Sequence, residues 1–84
     1  AMLERANFST AHLTNTSFKV ARLRFASFSS SFTENTIFKG AYLMDTYFTQ
    51  TSLKDLPMNN LDMRHADFSQ ANLTLTSFYS TTLD

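Results

Sequence analysis

Large apolar side chains recur at every fifth residue of this chain, alternating Leu and Phe from Leu3, Phe8, Leu13, Phe18, Leu23 and Phe28 to Phe68, Leu73, Phe78 and Leu83. A period of five matches neither the 3.6 of an α-helix nor the 2 of a simple strand, so the chain must consist of short extended pieces that each end in a turn. Of the 17 positions in this phase, 16 are large and apolar, and Thr33 is the exception. Two residues earlier stands Ala, Ser or Thr in 15 of the 17 units, the exceptions being Leu56 and Leu61. Residues i and i−2 of an extended segment point the same way, so each unit places one large and one small side chain inward. The other three phases hold nearly all the charge and face outward.

Sorting the large residues by a period of 20 gives nearly homogeneous columns. Leu3, Leu23, Leu43, Met63 and Leu83 form one, and Phe8, Phe28, Phe48 and Phe68 the next. Leu13, Thr33, Leu53 and Leu73 form the third, and Phe18, Phe38, Met58 and Phe78 the fourth. A period of 15 would instead set Phe on Leu in every column. The sequence therefore predicts an all-β, four-sided coil of about four 20-residue turns, with aromatic columns on two opposite sides. Stacked at the roughly 4.8 Å spacing of neighbouring strands, four turns make a short rod on the order of 20 Å tall.

Three units carry a resemblance to a known family. Ala6-Asn7-Phe8-Ser9-Thr10, Ala66-Asp67-Phe68-Ser69-Gln70 and Ala71-Asn72-Leu73-Thr74-Leu75 resemble the unit of the pentapeptide-repeat proteins: a small residue, Asp or Asn, Leu or Phe, then two polar residues. The resemblance runs through the whole chain and implies a right-handed quadrilateral parallel β-helix, a β-solenoid. It implies no single activity, because the family hosts many roles. Residues 1–84 read as one domain. Ala1-Met2 at the start and a repeat cut at each end predict a piece of a longer protein.

Composition narrows the function classes. The chain has no cysteine, so neither disulfides nor thiolate metal sites can staple so short a domain. Seven basic and seven acidic residues cancel, which removes the bulk electrostatic drive toward nucleic acid or an anionic membrane. No apolar run or leader-like segment is present, and the expectation is a soluble, cytoplasmic protein. His12 and His65 fall on different sides and different turns, so no shared metal or proton relay is expected. Asp45 and Asp67 are the carboxylates expected nearest one another, around one corner. With a single glycine, Gly40, the chain has no phosphate-cradling loop. A filled rod offers no concave pocket for acid–base work. No catalytic residue, metal, cofactor or small-molecule substrate is expected. The acceptor-like segments Asn7-Phe8-Ser9, Asn15-Thr16-Ser17 and Asn72-Leu73-Thr74 are generated by the repeat itself.

Two breaks in the pattern bear on packing. Leu56 and Leu61 stand beside Met58 and Met63, which reads as a core layer repacked at conserved volume. Pro57, in an outward phase, removes one backbone donor, which a coil tolerates best at a corner. At Ser31-Phe32-Thr33 the core phase holds Thr, and Phe32 is expected to swing inward through a local bulge and fill the space beside Thr33.

Two surfaces stand out. One corner gathers Lys19, Arg22, Arg24, Lys39 and Arg64 against Glu4 and Asp62. The face outside the first Phe column is almost uncharged, rich in Ser and Thr. These features read as a non-catalytic structural or protein–protein interaction module. Its partner is a protein of unspecified identity, or a second copy docking through uncapped coil ends. The alternative is a DNA-mimicking inhibitor or protector of DNA gyrase, a role some pentapeptide-repeat proteins fill. Mimicry requires a strongly acidic and longer rod, and zero net charge argues against it.

Overall fold

The computed structural model describes residues 2–83 as a four-sided coil with no helix. Parallel β-bridges join residues 20 apart on every side, from Met2 with Arg22 and Asn7 with Ser27 through to Asp62 with Thr82. The columns read from the sequence are thus the stacked rows of a right-handed quadrilateral parallel β-helix. We call the sides centred on Arg22, Ser27, Phe32 and Ile37 the first, second, third and fourth faces. The molecule measures 28 × 27 × 22 Å.

Each side is a single extended triplet, and the corners are made by backbone twist. Every fifth residue from Arg5 to Ser80 has φ between 56° and 72°. At most corners the amide two residues after the large core residue's next neighbour closes back on it, as in Ala6 N–H to Leu3 O at 3.0 Å and Ala26 N–H to Leu23 O at 2.9 Å. A positive φ confined to the third residue of such a turn is the geometry of a type II turn. Gly40 suits it. Val20 and Phe25 do not, since a β-branched or aromatic residue is an outlier in the left-handed region.

The Asp or Asn preference before the core residue has a local cause. The Asn7, Asp67 and Asn72 Oδ1 atoms accept the amides of Ser9, Ser69 and Thr74 at 2.9, 2.9 and 3.0 Å, bracing the approach to the corner. The small inward position favours Thr for a second reason. The hydroxyls of Thr36, Thr51 and Thr76 donate to the carbonyls of Leu13, Phe28 and Leu53 one turn below, at 2.8, 2.5 and 2.6 Å. Among the described residues, no buried side-chain polar atom lacks a partner.

Inside, the two Phe columns interlock. Phe8, Phe28, Phe48 and Phe68 stack with ring centroids 5.0 to 5.7 Å apart. Phe18 and Phe38 stack at 5.6 Å on the opposite side. Rings of one column meet those of the other edge-on, Phe28 with Phe38 at 5.5 Å and Phe38 with Phe48 at 5.9 Å. Both arrangements are favourable for aromatic quadrupoles. Leu56, Met58, Leu61 and Met63 are all buried, so the third turn is the repacked layer that the sequence suggests.

Phe32 corrects an expectation. It points outward, 55% exposed, and its ring lies on His12 at 4.6 Å. Inward rotation would break the two-residue alternation and expel Ser31 and Thr33, whose hydroxyls are already bonded inside. Ser31 Oγ donates to Phe28 O at 2.6 Å and Thr33 Oγ1 to Ser52 O at 2.5 Å. Pro57 keeps its outward phase and sits in the middle of the fourth face, where the lost donor is harder to accommodate than at a corner. Its bridge to Ser77 needs only the Met58 N–H and the Leu56 carbonyl, at 2.8 and 3.2 Å. A bridge to Ile37 would need the donor that proline lacks, and none forms among the described residues.

Candidate functional site

The missing proline donor opens the coil locally. Between the second and third turns the fourth face forms no bridge from Ile37 to Pro57 among the described residues, while the Phe32–Ser52 bridge persists on the third face. The Asn15 and Val20 amides bond to Glu34 O and Lys39 O, but the Asn35 and Gly40 amides make no such bond with the third turn. A cleft of about 530 Å³ lies there, bordered by His12, Phe32, Glu34, Lys54, Asp55 and Leu56. A smaller one of about 230 Å³ continues past Ile37 and Pro57. Pro57, Leu56 and Thr33 were the sequence signals for it, visible as breaks in the repeat. No group of three metal-ligating side chains exists among the described residues.

The five cations expected at one corner are spread across the first face: Lys19 and Lys39 lie at the corner where the fourth face meets it, Arg22 at its centre, and Arg24 and Arg64 at the corner toward the second face. Arg22 and Arg24 share the second turn of the coil and Arg64 stands on the fourth, while Lys19 and Lys39 stand on the first and second, all exposed. The five differ in their pairing. Arg24 Nε donates to Asp45 Oδ2 at 3.0 Å. Arg64 grips Asp62 with both Nε and Nη2, at 2.9 and 2.8 Å, and touches Met44 Sδ at 3.3 Å. This guanidinium holds the Asp62 carboxyl below its ordinary range. Asp45 is therefore taken up by Arg24. Asp67 is taken up by Ser69, whose hydroxyl and amide also lower its pKa.

Among the described residues Arg22 has no carboxylate partner, and it lies over the Tyr42 ring at 5.8 Å. Arg5 and Arg24 both approach Phe25, at 4.7 and 4.9 Å. Sequence reasoning left out Arg5 and Asp45. The 20-residue register reveals them, since Asp45 stands one turn and one position beyond Arg24. With both included, six cations face three carboxylates, Glu4, Asp45 and Asp62. Exposed apolar side chains border the corner between the fourth and first faces: Val20, Ile37, Tyr42 and Tyr79.

The second face behaves differently. Ser9 Oγ lies 2.9 Å from Ser27 Oγ, Ser29 Oγ 2.6 Å from Thr49 Oγ1, and Gln50 Nε2 donates to Gln70 Oε1 at 2.8 Å. Its polar groups bond along the coil to one another.

A family model described as pentapeptide repeats, in 8 copies, matches residues 1–40 and 58–84. The unmatched stretch, residues 41–57, contains Leu56 and Pro57. Among curated proteins, none matches the chain. Solved structures similar to it include HetL, a pentapeptide repeat protein involved in heterocyst differentiation regulation from the cyanobacterium Nostoc sp. strain PCC 7120. That match is at 17% identity and a TM-score of 0.46, over 90% of this chain and 38% of HetL. A pentapeptide repeat protein from the cyanobacterium Cyanothece 51142 matches at 19% identity and TM-score 0.46, over 99% of this chain and 64% of that one. One from the Arabidopsis thaliana thylakoid lumen matches at 21% and 0.46, over 94% and 59%. The chain thus spans less than two-thirds of the length of each. The five-residue phase, the 20-residue bridging and the family model agree, and the chain belongs to the pentapeptide repeat family.

Proposed function

We propose that this coil is a non-catalytic interaction module that presents fixed rows of side chains to another protein. One observation carries the reading: the interior is filled, with Leu23, Phe28, Leu43, Phe48, Leu53 and Met58 at 0% exposure, and among the described residues every charged side chain stands on the outward rows. The coil holds those rows rigidly at strand spacing, and ordered rows suit recognition more than chemistry. Zero net charge and the cations across the first face weigh against mimicry of DNA toward gyrase.

Tyr42, Tyr47, Phe32 and Tyr79 give each face in order an exposed aromatic residue at or beside its centre. Replacing each in turn by a photoreactive benzoylphenylalanine and irradiating in extract of the native source tests the reading. The module predicts a discrete cross-linked protein, or a cross-linked second copy of the chain, from some faces and not others. Absence of any discrete product from all four positions would contradict it. A gyrase supercoiling assay with fluoroquinolone tests the alternative, and protection at substoichiometric protein would overturn the ranking.

A further inference from the structure

We infer that the corner between the fourth and first faces docks an acidic protein segment carrying an apolar residue. This deepens the interaction reading and rests on it. The argument starts from which cations are already occupied. Arg24 and Arg64 are paired with Asp45 and Asp62, whereas among the described residues Lys19, Lys39 and Arg22 have no carboxylate within ion-pair distance. Lys19 and Lys39 hold the same position on successive turns, so the fold brings their stems to about 5 Å apart. Two exposed like charges on neighbouring stems repel one another. The outward positions of the fourth face contain no Asp or Glu to offset this: Ser17, Lys19 and Val20, then Ile37, Lys39 and Gly40, then Pro57, Asn59 and Asn60, then Ser77, Tyr79 and Ser80.

The same patch is apolar between its charges. Val20 and Ile37 are 56% and 48% exposed, and Tyr42 lies under the Arg22 guanidinium. Val20 also lies against Gly40, whose missing side chain leaves it open on that side. Arg, Tyr and aliphatic residues are what interface centres use, and unpaired cations supply the charge complementarity. An acidic segment with a Leu, Ile or Phe among its carboxylates relieves the lysine repulsion and covers Val20 and Ile37. A nucleic acid would find three free cations, far short of the phosphate contacts that support tight binding. It also has no aliphatic group to set on this patch.

The test is fluorescence anisotropy with a labelled peptide of about 12 residues, Glu and Asp surrounding one Leu and one Phe. A peptide with Gln and Asn in place of the acids, a short DNA duplex and vesicles of anionic lipid serve as competitors. Saturable binding that weakens about tenfold in Lys39→Glu and Lys19→Glu, but less than about twofold in Lys54→Glu on the third face, is the expected result. Circular dichroism of each variant checks that the coil is intact. Equal losses in Lys39→Glu and Lys54→Glu would reduce the effect to bulk charge and overturn the assignment. So would equal binding of the amide peptide, no saturable binding, or tighter, Lys39-dependent binding of DNA or vesicles. A partner cross-linked from Tyr47 or Phe32 alone would sink this corner while leaving the module reading intact.

Discussion

Substituting Phe28 by Ala tests whether the core columns act as stacks. Its side chain is fully buried, between Phe8 at 5.2 Å and Phe48 at 5.0 Å in its own column and edge-on to Phe18 and Phe38 at 5.6 and 5.5 Å. A cavity of that kind costs about 3–5 kcal/mol. The whole domain, at roughly 0.05–0.15 kcal/mol per residue, holds only about 4–13 kcal/mol. Phe28→Ala is therefore expected to leave the chain marginally folded. Phe68 is half-buried and has one stacked neighbour, Phe48 at 5.7 Å, and one edge-on, Phe78 at 5.9 Å. Phe68→Ala should cost about half as much, roughly 1.5–2.5 kcal/mol. Phe28→Leu keeps most of the burial but gives up four ring pairs at about 0.5–1.5 kcal/mol each, so it should cost about 2 kcal/mol or more while staying below the loss for Phe28→Ala. Urea unfolding followed by circular dichroism, compared at equal slope, gives all three values. Equal losses for Phe28→Ala and Phe68→Ala, or a loss below about 1 kcal/mol at Phe28, would refute a core made of interlocked stacks.

Three further outcomes follow from the backbone and the carboxylates. Val20→Asn should raise the free energy of unfolding in urea by about 0.5–1 kcal/mol, because Asn tolerates the φ of 62° that strains Val20; no change or a fall would show the corner is unstrained. In hydrogen exchange, the Asn35 and Gly40 amides beside the interrupted ladder should exchange faster than those of Asn15 and Val20, which bond to Glu34 O and Lys39 O at 3.0 and 2.9 Å. Asp62 and Asp67 have pKa values lowered by Arg64 and Ser69, so the stability each contributes is complete above the ordinary value of 3.8 and is lost as pH falls through the lowered value. Carboxyl chemical shifts followed by NMR should place both midpoints below 3.8, and midpoints above it would contradict the hydrogen-bond assignments.

The fold was legible because the core columns follow from one periodicity. Leu3 over Leu23, Phe8 over Phe28 and the compensation of Leu56 by Met58 all reduce to counting by 20. What counting misses is hydrogen bonding by small side chains. Thr33 looks like a void in an apolar column, yet its hydroxyl reaches Ser52 O, which keeps the alternation in phase and leaves Phe32 outside on His12. Pro57 was visible as a lost donor, but only the bridge geometry shows that the loss falls on the Ile37 side and spares Ser77. Counting by 20 put five cations at one corner, but the backbone sets Arg24 and Arg64 toward the second face. Their pairing depends on side-chain directions, and among the described residues Lys19, Lys39 and Arg22 have no carboxylate partner. The left-handed conformation at Val20 and Phe25 has no local signature, because the closed coil imposes it on whatever residue stands fifth.

Fold and site both depend on Lys19 standing directly over Lys39, one turn apart. The chain has no cysteine, so a double variant Lys19→Cys/Lys39→Cys can be oxidised in an otherwise unreactive background. Neighbouring strands bring such residues within the roughly 4.4–6.8 Å between Cα atoms that a disulfide spans. A four-sided coil predicts rapid closure of this pair and none for Lys19→Cys/Glu34→Cys, the partner that a three-sided coil would supply. Closure of the second pair in preference to the first would contradict the 20-residue register and, with it, the corner on which the interaction site is built.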